Sequence, residues 1–232
     1  VSIDTSNGKI TLFNISRDSM VDVTMYSAGG AYAGTEKQQI CLSYSYGDGK
    51  ESSCENTVNS VQRLFYNIPI NTYFSLDLDG ISALNDSVGG VDVVSPETIG
   101  EFVEGESYHL VGQQAESFVR TRDTSKTDSN NMRMQRQKVY IQSFMNTVLQ
   151  QTKKDLTTPI DLFNASAPYS CTNLNPSKVS YLAQQAVLGG MNGIDMVSVP
   201  GQVAMGSKYA EFNVSEAEFY QLFLSIYYTK IE

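Results

Sequence analysis

The chain has 232 residues, 41% of them hydrophobic and 18% charged, with a net charge of −9 and a pI near 4.6. This length buries a core without covalent help, and the modest charge content excludes disorder. The acidity excludes general nucleic-acid binding, which needs a broad basic face.

In chain order, residues 1–3 and 10–15 alternate apolar and polar side chains as two short strands, joined by a turn with an Asn7-Gly8 signal. Because the pattern is already a strand at Val1, the sequence is expected to continue upstream, where any targeting segment would lie. Residues 26–53 are polar and glycine-rich ("GGAYAG", "YSYGDGK") and read as long loops. Residues 55–66 put Val58, Val61, Leu64 and Phe65 on one helical face and stop at "NIP". "TYFSLDLDG" reads as a strand, and "ISALNDSVGGVDVV" as a short helix, a double-glycine turn and a strand. "GESYHLVGQQAESFVRTR" reads as a turn and a helix with Leu110, Ala115, Phe118 and Val119 inward. A polar loop over 123–130 leads to a long helix reaching about residue 152, capped by Asn130 or Asn131. Its inner stripe is Met134, Ile141, Met145 and Val148, widened by Phe144. A helix over 176–188, strands in "IDMVSVP" and "KYAEFNV", and an amphipathic helix from Ser215 complete the chain. Strands alternate with helices across short connections. The expected fold is therefore a single α/β domain of α+β type over 1–232, with a central mixed or mainly antiparallel sheet flanked by helices.

Charge is not spread evenly. Residues 119–138, "VRTRDTSKTDSNNMRMQRQK", hold four of the six arginines: Arg120, Arg122, Arg133 and Arg136. Arginine offers a planar fork of donors that fits carboxylate or phosphate. Arg133, Arg136, Gln137 and Tyr140 share one helical face, with Arg133 near the positive end of the helix dipole. Arg120 and Arg122 sit at the end of the preceding element, so the spacing lets all four guanidinium groups converge on an anion. The bland reading, a solvated face with surface ion pairs, fits less well because arginines outnumber lysines four to two and there are only two local acids, Asp123 and Asp128.

Other chemistry is thin. His109 is the single histidine, which removes His-based triads and reads as structural beside Leu110. Cys41 and Cys54, thirteen residues apart across glycine turns, are the pairing that spacing suggests in an exported protein, with Cys171 left over and buried. No spacing suits zinc. Sequons at Asn14, Asn85, Asn164 and Asn213 read as composition noise, because Asn14 lies in a core strand. Without histidine, chemistry at an anion points to phosphoryl transfer, where positioning and charge neutralisation do most of the work.

The ordered motifs "FNISRDSMV", "YFSLDLDGISALNDSVGGVDV", "HLVGQQAESFVRTR" and "NNMRMQRQKVYIQSF" resemble the LytR–CpsA–Psr domain of Gram-positive bacteria, over about 10–149. Residues 150–232 match only its helix–strand–strand–helix ending. The resemblance implies a membrane-anchored phosphotransferase whose domain lies on the extracytoplasmic face of the membrane, at the cell wall. Such enzymes pass a glycopolymer (a teichoic acid or capsular polysaccharide) from undecaprenyl pyrophosphate to muramic-acid hydroxyls of peptidoglycan, with the lipid tail in a greasy tunnel. It further implies Mg²⁺ as cofactor and arginines that grip the pyrophosphate. Arg17 and Asp18 match the family's "PRD" element, written "SRD" here; Arg120 and Arg122 match its paired arginines; Arg133, Arg136 and Gln137 match its helix motif. The acid usually found three residues before the first helix arginine is Asn130, with Asp128 close by. The family's metal-binding aspartates belong to segments expected upstream of Val1, so no metal ligand is assigned. Two other readings stay open: a non-catalytic binding protein for polyprenyl pyrophosphates, and a transcriptional regulator. The absence of a basic recognition helix and the net charge speak against the last.

Overall fold

The computed structural model describes residues 1–123, 129–188, 194–206 and 209–228, with side chains of 129–131 and 188 excepted. The strands are β1 (Ser2–Asp4), β2 (Lys9–Asn14), β3 (Met20–Tyr26), β4 (Tyr32–Gln39), β5 (Phe74–Leu76), β6 (Val91–Val94), β7 (Ser107–Leu110), β8 (Ser170–Thr172), β9 (Ile194–Ser198), β10 (Gly201–Met205) and β11 (Ala210–Val214). The helices are α1 (Leu42–Ser45), α2 (Glu51–Leu64), α3 (Asp79–Ser87), α4 (Gln113–Arg120), α5 (Ser129–Lys154), α6 (Thr158–Ser166), α7 (Pro176–Leu188) and α8 (Glu216–Tyr227). The class is mixed α+β. Among the described residues the strands are shared out between a three-stranded sheet (β1-β2-β9) and four two-stranded ribbons, rather than gathered in one central sheet.

Contacts group the chain into two compact units. The first comprises Val1–Leu12, Leu76–Ser170 and Leu174–Met196. Its core forms where α5 covers the β6–β7 ribbon. The antiparallel register sets Val91 opposite Leu110 and Asp92 opposite His109. Alternation then turns Val91, Val93 and Leu110 inward, where they are at most 3% exposed, to meet Phe102, Phe118 and Tyr140. Phe118 meets Phe102 edge-on, with ring centroids 5.0 Å apart. Gly90 makes the entry to this ribbon: its φ is +94°, and a Cβ there would stand 2.5 Å from His109 Nε2. A second cluster of Ile10, Leu12, Ala186 and Ile194 packs with Met145 and Leu149 from the far half of α5.

The second unit comprises Phe13–Ser75, Cys171–Asn173 and Val197–Glu232. Here β3 and β4 form an antiparallel ribbon, with Val21 and Val23 turned inward against Val61 and Leu64 of α2. Phe65, Phe219 and Phe223 close a second cluster with Val199.

Several local expectations need correction. Residues 32–39 form β4 rather than loop; their strand carries charged and glycine residues because one face and one edge meet solvent. Helix α2 buries Ser53, Asn56 and Ser60 more deeply than Val58, Val61 and Leu64, which are only half-buried. Residues 107–110 are a strand, and β3, whose Val21 and Val23 alternate with Asp22 and Thr24, was not assigned from sequence, nor were α6 and β10. Helix α5 starts at Ser129; the loop expected over 124–128 and the caps expected from the side chains of Asn130 and Asn131 lie outside the described residues.

Candidate functional site

The first unit contains a cavity of about 490 Å³ between the α3 side and α5. From the chain leading into and along α3 come Leu76, Leu78, Ile81 and Leu84; from the end of α4, Val119 and Arg120. Helix α5 supplies Arg133, Gln137, Tyr140, Ile141 and Phe144, spaced as one helical face. Eleven residues separate the first from the last, about 16 Å of helix at 1.5 Å per residue. Along that length the face changes from guanidinium and amide to hydrocarbon, so the cavity is cationic toward the start of α5 and greasy farther on. Ile141 is 44% exposed, which a stripe read only as core does not explain; it is a wall of the cavity.

Arg136 stands elsewhere. Its side chain is fully buried, and its Nε donates to Glu97 Oε1 at 2.7 Å. Its Nη1 donates to Phe118 O and its Nη2 to Thr121 O. Those carbonyls belong to the last turn of α4 and the residue after it, where a helix leaves acceptors without intrahelical partners and its dipole is negative. Arg136 therefore caps α4 from inside the core. This corrects the expectation that all four guanidinium groups meet one anion: the i+3 spacing from Arg133 turns Arg136 toward α4 and away from the cavity. Gln137 adds a second tie, Nε2 to Val119 O at 3.1 Å. Together these two side chains fix the segment that presents Arg120.

Arg120 is 61% exposed at its side chain and gives Nη1 to Glu116 Oε1 at 2.6 Å, one helical turn back. Arg122 is exposed, two residues beyond α4, and does not line the cavity. Arg17 and Asp18 belong to the second unit. There Arg17 Nε lies 3.5 Å from Asp18 Oδ1, and Asp18 also accepts from Gln39 Nε2 at 3.3 Å.

Beneath the cavity runs a polar layer that periodicity gave no means of finding. Tyr140 donates its hydroxyl to Asn85 Oδ1 at 3.3 Å, and fully buried Asn85 sends Nδ2 to Leu110 O at 2.8 Å. Asp86 accepts the amide of Gly112, whose φ of +52° opens α4. Burial, and then the Asp86 carboxylate, push the Tyr140 phenol well above its ordinary pKa, so it stays a neutral donor. Asn85 is thus a packing residue and no sequon. His109 pairs with Asp92 across the exposed face of the ribbon, Nδ1 to Oδ1 at 2.8 Å.

For metal binding, no three His, Cys, Asp or Glu side chains gather among the described residues. The cavity lining contains no carboxylate. These side chains do not fit a protein-held Mg²⁺ site, and no step below uses one. No helix among the described residues is long and apolar enough to cross a membrane.

Comparison with known proteins agrees with this architecture. A polyisoprenyl-teichoic acid–peptidoglycan teichoic acid transferase, TagV of Bacillus subtilis (strain 168), is 31% identical over 137 residues, 54% of this chain and 32% of its own length. The corresponding TagU of Enterococcus faecalis (strain ATCC 700802 / V583) is 29% identical over 152 residues, 64% of this chain and 45% of its own length. The match thus spans 32% and 45% of these two curated relatives, less than half of each. In fold, the crystal structure of B. subtilis TagV aligns at a TM-score of 0.72 and 22% identity, covering 98% of this chain and 87% of that one. A structure of TagT bound to LI-WTA aligns at 0.69 and 15% identity, covering 97% and 80%. The model of the LytR_cpsA_psr family matches residues 1–224, and the chain belongs to that family.

Proposed function

We propose that this chain is the catalytic part of a glycopolymer phosphotransferase, working at the outer face of the cell membrane. Its substrates are a polyprenyl-pyrophosphate-linked glycopolymer and peptidoglycan. The observation that carries the reading is the graded cavity: Arg120, Arg133 and Gln137 where a pyrophosphate would sit, hydrocarbon where a prenyl tail would follow. A ligand with two charges and a long apolar tail satisfies both ends at once; a simple sugar phosphate satisfies one. The names of the relatives, teichoic acid transferases, supply the same class of substrate.

In this reading an acceptor hydroxyl attacks the phosphorus that carries the sugar. The bond from that phosphorus to the bridging oxygen breaks, and polyprenyl phosphate leaves, its new terminal oxygen taking up the hydroxyl's proton. Charge grows on the bridging and non-bridging oxygens, and in this reading Arg133, and Arg120 once it lets go of Glu116, meet it. Arg136 and Gln137 position Arg120 by holding the end of α4. Arg122 is assigned to the pyrophosphate through the motif resemblance, and Arg17 and Asp18 match the family's element through the same resemblance, with no role assigned to Asp18.

The test is calorimetric titration with a short-chain polyprenyl diphosphate, with and without Mg²⁺. Arg120→Ala and Arg133→Ala are each expected to lose about 2 kcal/mol, roughly thirtyfold in affinity. Unchanged affinity in both variants would sink the clamp. Tight binding with no turnover on lipid-linked polymer and peptidoglycan would favour the binding-protein reading.

A further inference from the structure

The second unit has a cavity of its own, of about 360 Å³. Tyr26 and Ser27 enter it from the end of β3, and Tyr46, Gly47 and Asp48 from the α1–α2 connection. Ser52 joins them from the first turn of α2. The lining holds no lysine or arginine, and its only apolar side groups are the two tyrosine rings and Ala28. One buried side chain ties the walls together. Asn56, 2% exposed, gives Nδ2 to Thr24 O of β3 at 2.9 Å and to Ser43 O of α1 at 2.7 Å, just behind Tyr26 and Ser45 of the lining. No disulfide does this work: the pairing of Cys41 with Cys54 that spacing suggests is not formed, and Cys41 Sγ instead accepts from Arg17 Nη2 at 3.5 Å.

Each wall is also ordered within itself. Ser27 N donates to Ala31 O and Gly30 N to Ser27 O, both at 2.8 Å, which closes the β3–β4 turn. Tyr46 packs on the cluster of Val21, Val23 and Ile40 and gives its hydroxyl to Gln38 Oε1 at 3.0 Å. A Cβ at Gly47 would collide with the backbone of Ser53, so the connection lies hard against α2. Asp48 Oδ1 accepts the amides of Lys50 at 2.8 Å and Ser53 at 3.3 Å. The Lys50 amide foremost holds the Asp48 carboxyl below its usual range, so it is a carboxylate at neutral pH.

We propose that this cavity binds an uncharged saccharide unit of a glycan. A sugar ring has apolar C–H faces and a rim of hydroxyls. The ring of Tyr26, 37% exposed, offers a surface for such a face, while Asp48, Ser27 and Ser52 offer acceptors and donors for the rim. The volume lies within the roughly 300–1,000 Å³ of small-molecule sites. A phosphate fits poorly, because no cation lines the cavity and Asp48 repels it. A hydrocarbon tail fits poorly too, because it would leave the serine hydroxyls and the carboxylate desolvated and unpaired. The inference rests on the transferase reading only for the source of the glycan. Of the two substrates proposed there, peptidoglycan presents uncharged N-acetylglucosamine, whereas a teichoic acid carries phosphate along its length.

The test is an amide NMR titration of the ¹⁵N-labelled chain with a soluble N-acetylglucosamine oligomer. The amides of Gly30, Gly47 and Ser52 should move as the sugar is added. Tyr26→Ala and Asp48→Asn should each weaken binding about fivefold, through the lost ring face and the lost charge-assisted hydrogen bond. Tyr209→Ala, at an exposed tyrosine outside the lining, should bind as the parent does. The amide map needs no variant, so the test holds even where a substitution unsettles the hairpin. A glycerol phosphate oligomer and a short-chain polyprenyl diphosphate should leave the same three amides in place. Absent shifts, shifts confined to other residues, or an equal response to the phosphate oligomer overturns the proposal. The sugar titration uses no lipid, so its failure and a failure of the calorimetric lipid titration are separate results.

Discussion

Two corners of the molecule solve the same problem with different results. In the first unit α5 sends Arg136 to two carbonyls at the end of α4; in the second unit α2 sends Arg63 to β3. Arg63 gives Nη1 to Asp22 O at 3.1 Å and Nη2 to Thr24 Oγ1 at 2.9 Å, but it is exposed, and water can replace either partner. Arg136 is sealed in and neutralised by Glu97. Around Arg63 the helix face is filled by Ser53, Asn56 and Ser60, with Asn56 bonded to Thr24 O and Ser43 O. Around Arg136 the neighbouring face opens into the cavity. The lesson is that an arginine is informative by its depth and its partners, not by its place in a charged run.

Arg136→Ala is the sharpest way to break the comparison. It strands the Glu97 carboxylate and uncaps α4, so it should cost about 3–5 kcal/mol in urea unfolding, and Arg136→Lys should not restore the fork. Equal losses for Arg63→Ala would erase the distinction; that variant should lose under 1 kcal/mol. Next in size, Ile141→Asp places a charge in the greasy wall at an exposed position. It should cut affinity for a prenyl diphosphate about tenfold or more while leaving affinity for inorganic pyrophosphate intact. A matching loss for both ligands would mean that the tail does not use this cavity. Asn56→Ala should then destabilise by about 1–3 kcal/mol and leave ligand affinity unchanged. A pH scan separates the units in another way. Burial, and then Cys171, push the Cys54 thiol from 9.0 up to about 11. The folded state holds this proton longer than the unfolded chain. Stability of the reduced protein should therefore be complete below pH 9 and fall between about pH 9 and 11. Cys54→Ser should flatten that part of the curve. The smallest effect belongs to Glu116→Gln, which releases Arg120 from its ion pair. Stability should move by less than about 0.5 kcal/mol, and diphosphate affinity should rise by a few-fold.

How much of this was legible in the sequence depends on what each residue answers to. Ala115, Phe118 and Val119 follow the helical period and are buried as the pattern indicates, whereas Leu110, expected with them, is buried from strand β7. The same logic marked Ile141 as core, because a cavity wall and a packed interior look alike along one dimension. The arginine run and its family motifs were visible as charge and spacing. What spacing could not carry was the partner of each guanidinium: Glu97 lies far from Arg136 in sequence, and only the fold brings them together. Asn85, Asp86 and Glu116 lie inside quoted motifs but had no role there, and they became meaningful through their hydrogen bonds alone. Residues 32–39 were misread because a two-stranded ribbon with a solvated face has little apolar period to show.

The inward arginine also bears on how fast the site can work. Ordering a loose backbone on binding costs about 1–2 kcal/mol per residue, and waiting for it to order slows association. Arg136 has already fixed the carbonyls of Phe118 and Thr121, on either side of Arg120, before any anion arrives. If the proposed lipid pyrophosphate binds here, it meets a seat that needs no rearrangement of this turn; its capture would then be set by encounter, and its residence by how well the tail fills the cavity behind it.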